Sequence, residues 1–322
     1  MMRRRDVLKA GVGAVVLGAG RARADDPVAE SDPADAIKKA GAMFAVPVKI
    51  EALNDKLHVI AGPGGNIAAL AGPDGLVLVD DGLPGRVKDV QAAAKSLCDR
   101  PVSTIINTHW HFDHTGGNAA FGRDGARIWA TANARKRLAT DQYNEAFKMK
   151  SPASPPEALP VVSFDEAEVY VGDESLHMIA VPPAHTDGDL VIHFRKADVI
   201  HAGDLFSNGF YPNIDDSSRG WIGGMVDAAG RILKMAGPGT RIIPGHGPVA
   251  TVDDLRAFRK MLVTLYDRLG PLADARTPVD DVIRARPTAD LDPTWAKGLF
   301  NGPTYTRIVY DGLLKHRADS GR

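Results

Sequence analysis

The segment Thr108-His109-Trp110-His111-Phe112-Asp113-His114-Thr115-Gly116-Gly117 sets three imidazoles and a carboxylate within six residues, directly after the apolar run Ser103-Thr104-Ile105-Ile106-Asn107. That run reads as a short buried strand. Core packing gives no reason to place ionisable rings at its end. Neutral imidazole with carboxylate is the donor set that zinc or iron takes, and strand ends are where α/β folds build their sites. A chain carrying this segment must therefore end a buried strand in a polar cluster at a sheet edge.

The surrounding pattern says what kind of sheet this is. Short apolar runs at 57–60, 66–71 and 76–79 are separated by Gly62-Pro63-Gly64-Gly65 and Gly72-Pro73-Asp74-Gly75, which reads as an antiparallel meander. The glycine turn at 62–65 has no helix after it, so it is a hairpin turn rather than a phosphate cradle. A helix over 86–97, the strand before His109, a strand at 127–130 and a helix at 133–138 continue in βαβ style. The stretch 140–160, with Ser151-Pro152-Ala153-Ser154-Pro155-Pro156, breaks that pattern. Alternation resumes at 168–171, 175–181, 190–194 and 199–201, followed by a helix near 220–235, a strand at 241–243 and helices from Val252 onward. Meander then βαβ, twice, predicts two similar halves whose sheets pack together.

Three later segments repeat the strand-end signature. His185 follows Ile179-Ala180-Val181-Pro182-Pro183-Ala184, Asp204 follows Val199-Ile200-His201-Ala202-Gly203, and His246 follows Arg241-Ile242-Ile243-Pro244-Gly245. In each, Gly or Pro beside the donor lets the backbone turn sharply. On an extended segment His109 and His111 point the same way and can reach one ion. Asp113 and His114 fall where the chain enters a turn, which redirects them toward a second position.

The order His-x-His-x-Asp-His, then His, Asp and His, resembles the metallo-β-lactamase superfamily of metallohydrolases, across roughly residues 48–262. The resemblance implies an α/β (α+β) fold, a four-layer αβ/βα sandwich of two mixed β-sheets flanked by helices, with metals at one edge. Carried over residue by residue, it implies that His109, His111 and His185 hold a first metal. Asp113, His114 and His246 would hold a second, with Asp204 bridging. Two metals about 3.5–4 Å apart share a hydroxide and lower its pKa toward neutrality. No serine nucleophile is then needed, and no Gly-x-Ser-x-Gly occurs. The expected cofactor is Zn2+, two per chain, although imidazole and carboxylate also suit iron and manganese.

Asp113 and Tyr211 are the candidate catalytic residues. The loop Phe206-Ser207-Asn208-Gly209-Phe210-Tyr211-Pro212-Asn213-Ile214 is expected, with Trp110 and Trp221, to line an apolar cleft in which Tyr211 donates to a developing oxyanion. His201, three residues before Asp204, is a candidate to support a ligand. Asp80 either hydrogen-bonds a ligand histidine or serves a turn or N-cap. His58, His177 and His193 lie in strand-like runs and His316 in a C-terminal helix, where ordinary packing accounts for them. Cys98, the single cysteine, reads as a small apolar side chain.

The N-terminus begins Met1-Met2-Arg3-Arg4-Arg5-Asp6-Val7-Leu8-Lys9, passes through an apolar Gly/Ala-rich segment at 10–20, and reaches Arg21-Ala22-Arg23-Ala24. This is the form of a secretory signal over 1–24, and the arginine run resembles a twin-arginine signal that engages the export machinery for folded proteins. The apolar segment is too short to span a bilayer of roughly 30 Å, so no stable membrane anchor is expected after cleavage. Gly11-Val12-Gly13 lacks the strand and third glycine of a dinucleotide fingerprint. Removing 1–24 takes away six Lys/Arg and one Asp, leaving 33 basic and 39 acidic side chains and a net charge of −6. An acidic, periplasmic or secreted protein of this kind is not a nucleic-acid binder; its partner is a small-molecule substrate. The expected organisation is a signal peptide at 1–24, a lead-in at 25–47, the metal-binding domain at 48–270 and a C-terminal helical extension at 271–322.

Asp204 stands where true β-lactamases of the resembled family place cysteine or serine, and Ser207 and Asn208 stand where some carry a substrate-binding lysine. This leans toward the thioesterase and lactonase branches, that is, a dinuclear zinc metallohydrolase cleaving a small ester, lactone, thioester or amide by a metal-bound hydroxide. The alternatives are a β-lactamase-type hydrolase, a mononuclear iron enzyme like the persulfide dioxygenases, and a non-catalytic periplasmic metal- or ligand-binding protein.

Overall fold

A computed structural model describes residues 38, 39, 41, 42 and 45–321; the expected signal at 1–24 and most of the lead-in at 25–47 lie outside the described residues. Among the described residues, no helix is long and apolar enough to cross a membrane.

The first half begins with the meander β1 (Lys49–Ala52), β2 (Leu57–Ala61), β3 (Ile67–Gly72) and β4 (Gly75–Val79), all antiparallel neighbours. β1 carries no buried side chain, which is why its apolar pattern gives no signal. Helix α1 (Val87–Leu97) then crosses over to β5 (Val102–Ile106), which pairs parallel with β4. The short α2 (Phe112–Thr115) and α3 (Asn118–Arg123) lead to β6 (Arg127–Ala130), parallel to β5. After α4 (Ala132–Leu138) the chain makes a separate antiparallel hairpin, β7 (Gln142–Asn144) and β8 (Met149–Ser151), before β9 (Val162–Ser163) closes the seven-stranded sheet. That hairpin lies within the irregular stretch 140–160, where strands of three residues are too short to show alternation.

The second half repeats the plan. β10 (Glu166–Val171), β11 (Glu174–Ala180), β12 (Leu190–Phe194) and β13 (Val199–Ser207) form an antiparallel meander, α5 (Ile222–Met235) crosses over, and β14 (Arg241–His246) pairs parallel with β13. Helices α6 (Val252–Asp274), α7 (Val279–Arg284), α8 (Asp292–Trp295) and α9 (Gly302–Asp319) complete the chain. The boundary expected at residue 270 falls inside α6, whose start is fixed by a capping box between Thr251 and Asp254.

Strand alternation builds the layers. In β4, Val77 and Val79 face the core between the sheets while Leu76 and Leu78 face α1. In β12, Leu190 and Ile192 join the same inter-sheet core and Val191 turns to the outer layer with α5, α6 and α9. Central strands buried on both faces explain their continuous apolar runs. The result is helix, sheet, sheet, helix, as expected.

One irregularity aims a side chain. The pairing of β13 with β14 shifts register on both sides of Gly203, whose φ is +51°. The bulge turns Asp204 out of the ladder at the end where β5 and β14 also finish. A Cβ at Gly203 would lie 2.8 Å from the Thr108 side chain, so glycine also permits the close approach of the two sheets there.

Candidate metal centre

The structure brings all seven expected donors together. One group comprises His109, His111, His185 and Asp204, the other Asp113, His114 and His246, with the donor atoms of each group within 4.8 Å of one another. Asp204 joins them: its Oδ2 lies 3.5 Å from His185 Nε2, and its Oδ1 lies 3.2 Å from His114 Nε2 and 3.4 Å from His246 Nε2. Asp113 Oδ2 lies 3.2 Å from His246 Nε2. No lysine or arginine is among these groups.

The outer hydrogen bonds fix how the rings face. Asp80 accepts from the backbone N–H of Thr108 (2.7 Å) and from the Thr108 hydroxyl (2.8 Å). With its proton so used, Thr108 Oγ1 accepts from His109 Nδ1 at 3.0 Å. His111 Nε2 donates to Asp215 Oδ2 at 3.0 Å, and His185 Nδ1 donates to the carbonyl of Asn213 at 2.9 Å. In the neutral rings the remaining lone pairs are then His109 Nε2, His111 Nδ1 and His185 Nε2, all turned to one point. His111 Nδ1 and His185 Nε2 sit 2.9 Å apart. His109 Nε2 is buried without a hydrogen-bond partner, since the nearest Asp204 oxygen is 4.0 Å away. Three converging lone pairs, one of them orphaned, are what a cation satisfies. The residues present fit a divalent metal.

Glycines shape the space. A Cβ at Gly65 would lie 2.2 Å from the His114 ring, and one at Gly245 would lie 1.9 Å from Asp204 Oδ1. Asn66 locks the same corner: its side chain donates to the carbonyls of Pro244 and Gly247, and its backbone N–H to that of Gly245.

The electrostatics separate the two groups. Burial, reinforced by His114 and His185, pushes His109 well below the usual imidazole range, and burial brings His185 down to about 4. Burial also opposes charge on His114 and His246, but carboxylates outweigh it. Asp204, Asp113 and Asp80 hold His114 well above its ordinary value, and Asp204 and Asp113 raise His246 to about 9. For Asp215, burial is outweighed by the hydrogen bonds from His111 and Ser218, which bring it down to about 2.

Several expectations are resolved by these contacts. Of the two roles open to Asp80, the structure shows the first: it accepts from His114 Nδ1 at 2.7 Å, on a backbone with φ +64°. His201 is buried but spends both ring nitrogens on backbone, donating to Asn66 O and accepting from Gly203 N. It supports the bulge and the Asn66 corner rather than a donor ring. Tyr211 is a correction: its hydroxyl donates to Asp292 Oδ1 at 2.9 Å and its ring stacks on Tyr305. A hydroxyl proton held by the half-buried Asp292 carboxylate is not presented to an oxyanion. Trp221 is a second correction, since it stacks on His316 at 3.6 Å and lines a different cavity. Asp215 went unrecognised in the sequence because it lies 104 residues from the ring it orients.

A cleft of about 310 Å³ opens beside the cluster. His111, Asp113, Asp204 and His246 form one side; Trp110, Phe112, Phe210 and Tyr211 contribute ring surface. Phe147 and Met149 come from the β7–β8 hairpin, and Leu299 and Phe300 from the segment before α9.

The family model for the metallo-beta-lactamase superfamily matches residues 61–257. The chain belongs to that superfamily. It is 29% identical over 148 residues to the 2,4-dinitroanisole O-demethylase subunit alpha of Nocardioides sp. (strain JS1661), covering 45% of this chain and 42% of the relative's length. It is 24% identical over 211 residues to the acyl-coenzyme A thioesterase MBLAC2 of Bos taurus, covering 58% of this chain and 74% of that protein. Among solved structures, it superposes on the metallo-beta-lactamase from Pontibacter korlensis with a TM-score of 0.56 at 18% identity, covering 67% of this chain and 98% of that one. The stereoselective inverting sec-alkylsulfatase Pisa1 from Pseudomonas sp. gives a TM-score of 0.61 at 16% identity, covering 85% and 52%. These two likenesses establish the fold.

Proposed function

We propose that this protein is a dinuclear zinc hydrolase that cleaves a small ester, thioester, lactone or amide. The observation that carries the reading is the meeting of two complete donor sets at one carboxylate, Asp204. His109, His111 and His185 would hold one ion, Asp113, His114 and His246 the other, and Asp204 would touch both. Metal ions there would supply Lewis acidity and lower the pKa of bound water toward neutrality. The chain's own contribution is orientation. Asp215, Thr108 and the Asn213 carbonyl hold three rings in one tautomer, and Asp80 holds a fourth. The aromatic wall of the cleft places apolar surface beside the donors, which strengthens charge interactions there.

The thioesterase relative supports an acyl-transfer chemistry, and a mononuclear iron oxygenase would leave the second donor set without a task. We further propose, from the arginine-bearing leader, that the protein is exported by the twin-arginine route and works in the periplasm or outside the cell. Elemental analysis joined to a substrate panel tests the function. Two zincs per chain with metal-dependent cleavage of an ester or thioester is the expected result. One iron per chain, or no hydrolysis across esters, thioesters, lactones and β-lactams, would overturn it.

A further inference from the structure

Beyond the metal-donor side, the cleft meets its ligand with ring and thioether surface. Phe147 and Phe300 approach from separate elements, with centroids 5.9 Å apart, and Met149 and Phe210 fill the space beside them. The polar groups on that wall, Asn144, Ser151, Ser207 and Asn213, are all uncharged, and among the described residues no lysine or arginine lines the cleft. The nearest cations in sequence are Lys148 and Lys150, on either side of Met149. Lys148 is exposed and paired with Glu145, while strand alternation turns Lys150 to the face opposite Met149. A second anionic group on a substrate would thus lose its hydration here without gaining a partner.

We infer that the group carried into this cleft is an uncharged, apolar acyl chain or ring of modest size. The inference rests on the hydrolase reading and adds the substrate class. A volume of about 310 Å³ is at the small end of ligand pockets. It suits a short aliphatic chain or a single ring. Substrates that carry a second, carboxylate group, β-lactams among them, meet no lysine or arginine among the described lining residues. The hairpin β7–β8 and the segment 299–300 are the specificity elements, because they supply the wall opposite the donors.

The test uses the metal-loaded full chain with p-nitrophenyl acetate, butyrate and hexanoate, and mono-p-nitrophenyl succinate as an anionic counterpart. The leaving group is constant, so differences report the acyl part. We expect kcat/KM to rise about fourfold per added methylene, and succinate to fall at least roughly tenfold below butyrate. Phe147→Ala should lower the hexanoate-to-acetate ratio, and Met149→Lys should raise the succinate-to-butyrate ratio. In parallel, the neutral, single-ring fluorophore 4-dimethylaminobenzonitrile should bind saturably and be weakened by Phe147→Ala. A flat or falling chain-length series, or succinate faster than butyrate, overturns the inference while leaving the hydrolase reading intact. Retained, Phe147-dependent fluorophore binding with no hydrolysis of these esters or of the thioesters, lactones and β-lactams of the wider panel overturns the hydrolase reading instead. Absence of both overturns both.

Discussion

Gly65 offers the cleanest way to disturb one half of the metal centre. Its φ is not positive, so alanine is conformationally allowed and any effect is steric. The three nearest atoms to a new Cβ all belong to the His114 ring: Cε1 at 2.2 Å, Nε2 at 2.5 Å and Nδ1 at 2.7 Å. Reaching the 3.4 Å of ordinary contact requires the ring to retreat by about 1.2 Å. The ring is fully buried and pinned by its 2.7 Å bond to Asp80, which is itself tied to Thr108 twice. Such a retreat breaks a charge-assisted hydrogen bond, worth about 2 kcal/mol, or roughly thirtyfold in affinity for the ion at Asp113, His114 and His246. A misplacement of this size also costs roughly a hundredfold in turnover. Zinc content after equilibrium dialysis should drop toward one ion per chain in Gly65→Ala, while Gly85→Ala, whose Cβ meets nothing within 4 Å, should keep two. Two tightly held zincs and unchanged turnover in Gly65→Ala would refute the reasoning.

Other outcomes follow from the outer hydrogen bonds. Asp215→Ala removes the acceptor that holds His111, and should weaken zinc binding by about 10–100-fold in a chelator competition. Its far-ultraviolet dichroism should stay unchanged. Asp80→Asn keeps a residue that tolerates the left-handed backbone but cannot accept from both Thr108 groups and His114 as a carboxylate does; a similar loss is expected, with a lowered Tm. Tyr211→Phe should change kcat by less than about threefold, against the hundredfold or more expected of an oxyanion donor. It should lower stability by about 1 kcal/mol in urea titration, because Asp292 loses its donor. Gly245→Ala, with its Cβ 1.9 Å from Asp204 Oδ1 and backbone packed behind it, should lose both ions rather than one.

The donors themselves were legible because each sits in a local signal. A histidine or aspartate beside Gly or Pro at the end of an apolar run is visible within about ten residues, and the run, the turn and the donor are all short-range features. The repeated meander and βαβ order was legible for the same reason, since strands buried on both faces are apolar throughout. Expectations that required a side chain to face a particular way across the fold fared differently. Trp221 and Phe210 occupy one stretch of chain, yet only Phe210 reaches the cleft; Trp221 turns to His316 on α9.

By itself, the sequence determined the superfamily, the sandwich and the seven converging donors, because local chain geometry sends every strand-end donor to the same sheet edge. Tertiary structure alone decided how those donors are held and what they face. Asp215 meets His111 across 104 residues, His185 reaches the Asn213 carbonyl, and Asn66 clamps the Gly245–Gly247 corner from 181 residues away. The cleft wall is likewise assembled from the β7–β8 hairpin, the loop after β13 and the segment before α9. No periodicity encodes such neighbours. They follow from where packed layers bring distant loops, so the part of the wall built by Phe147, Met149, Leu299 and Phe300 emerges only when the chain is folded.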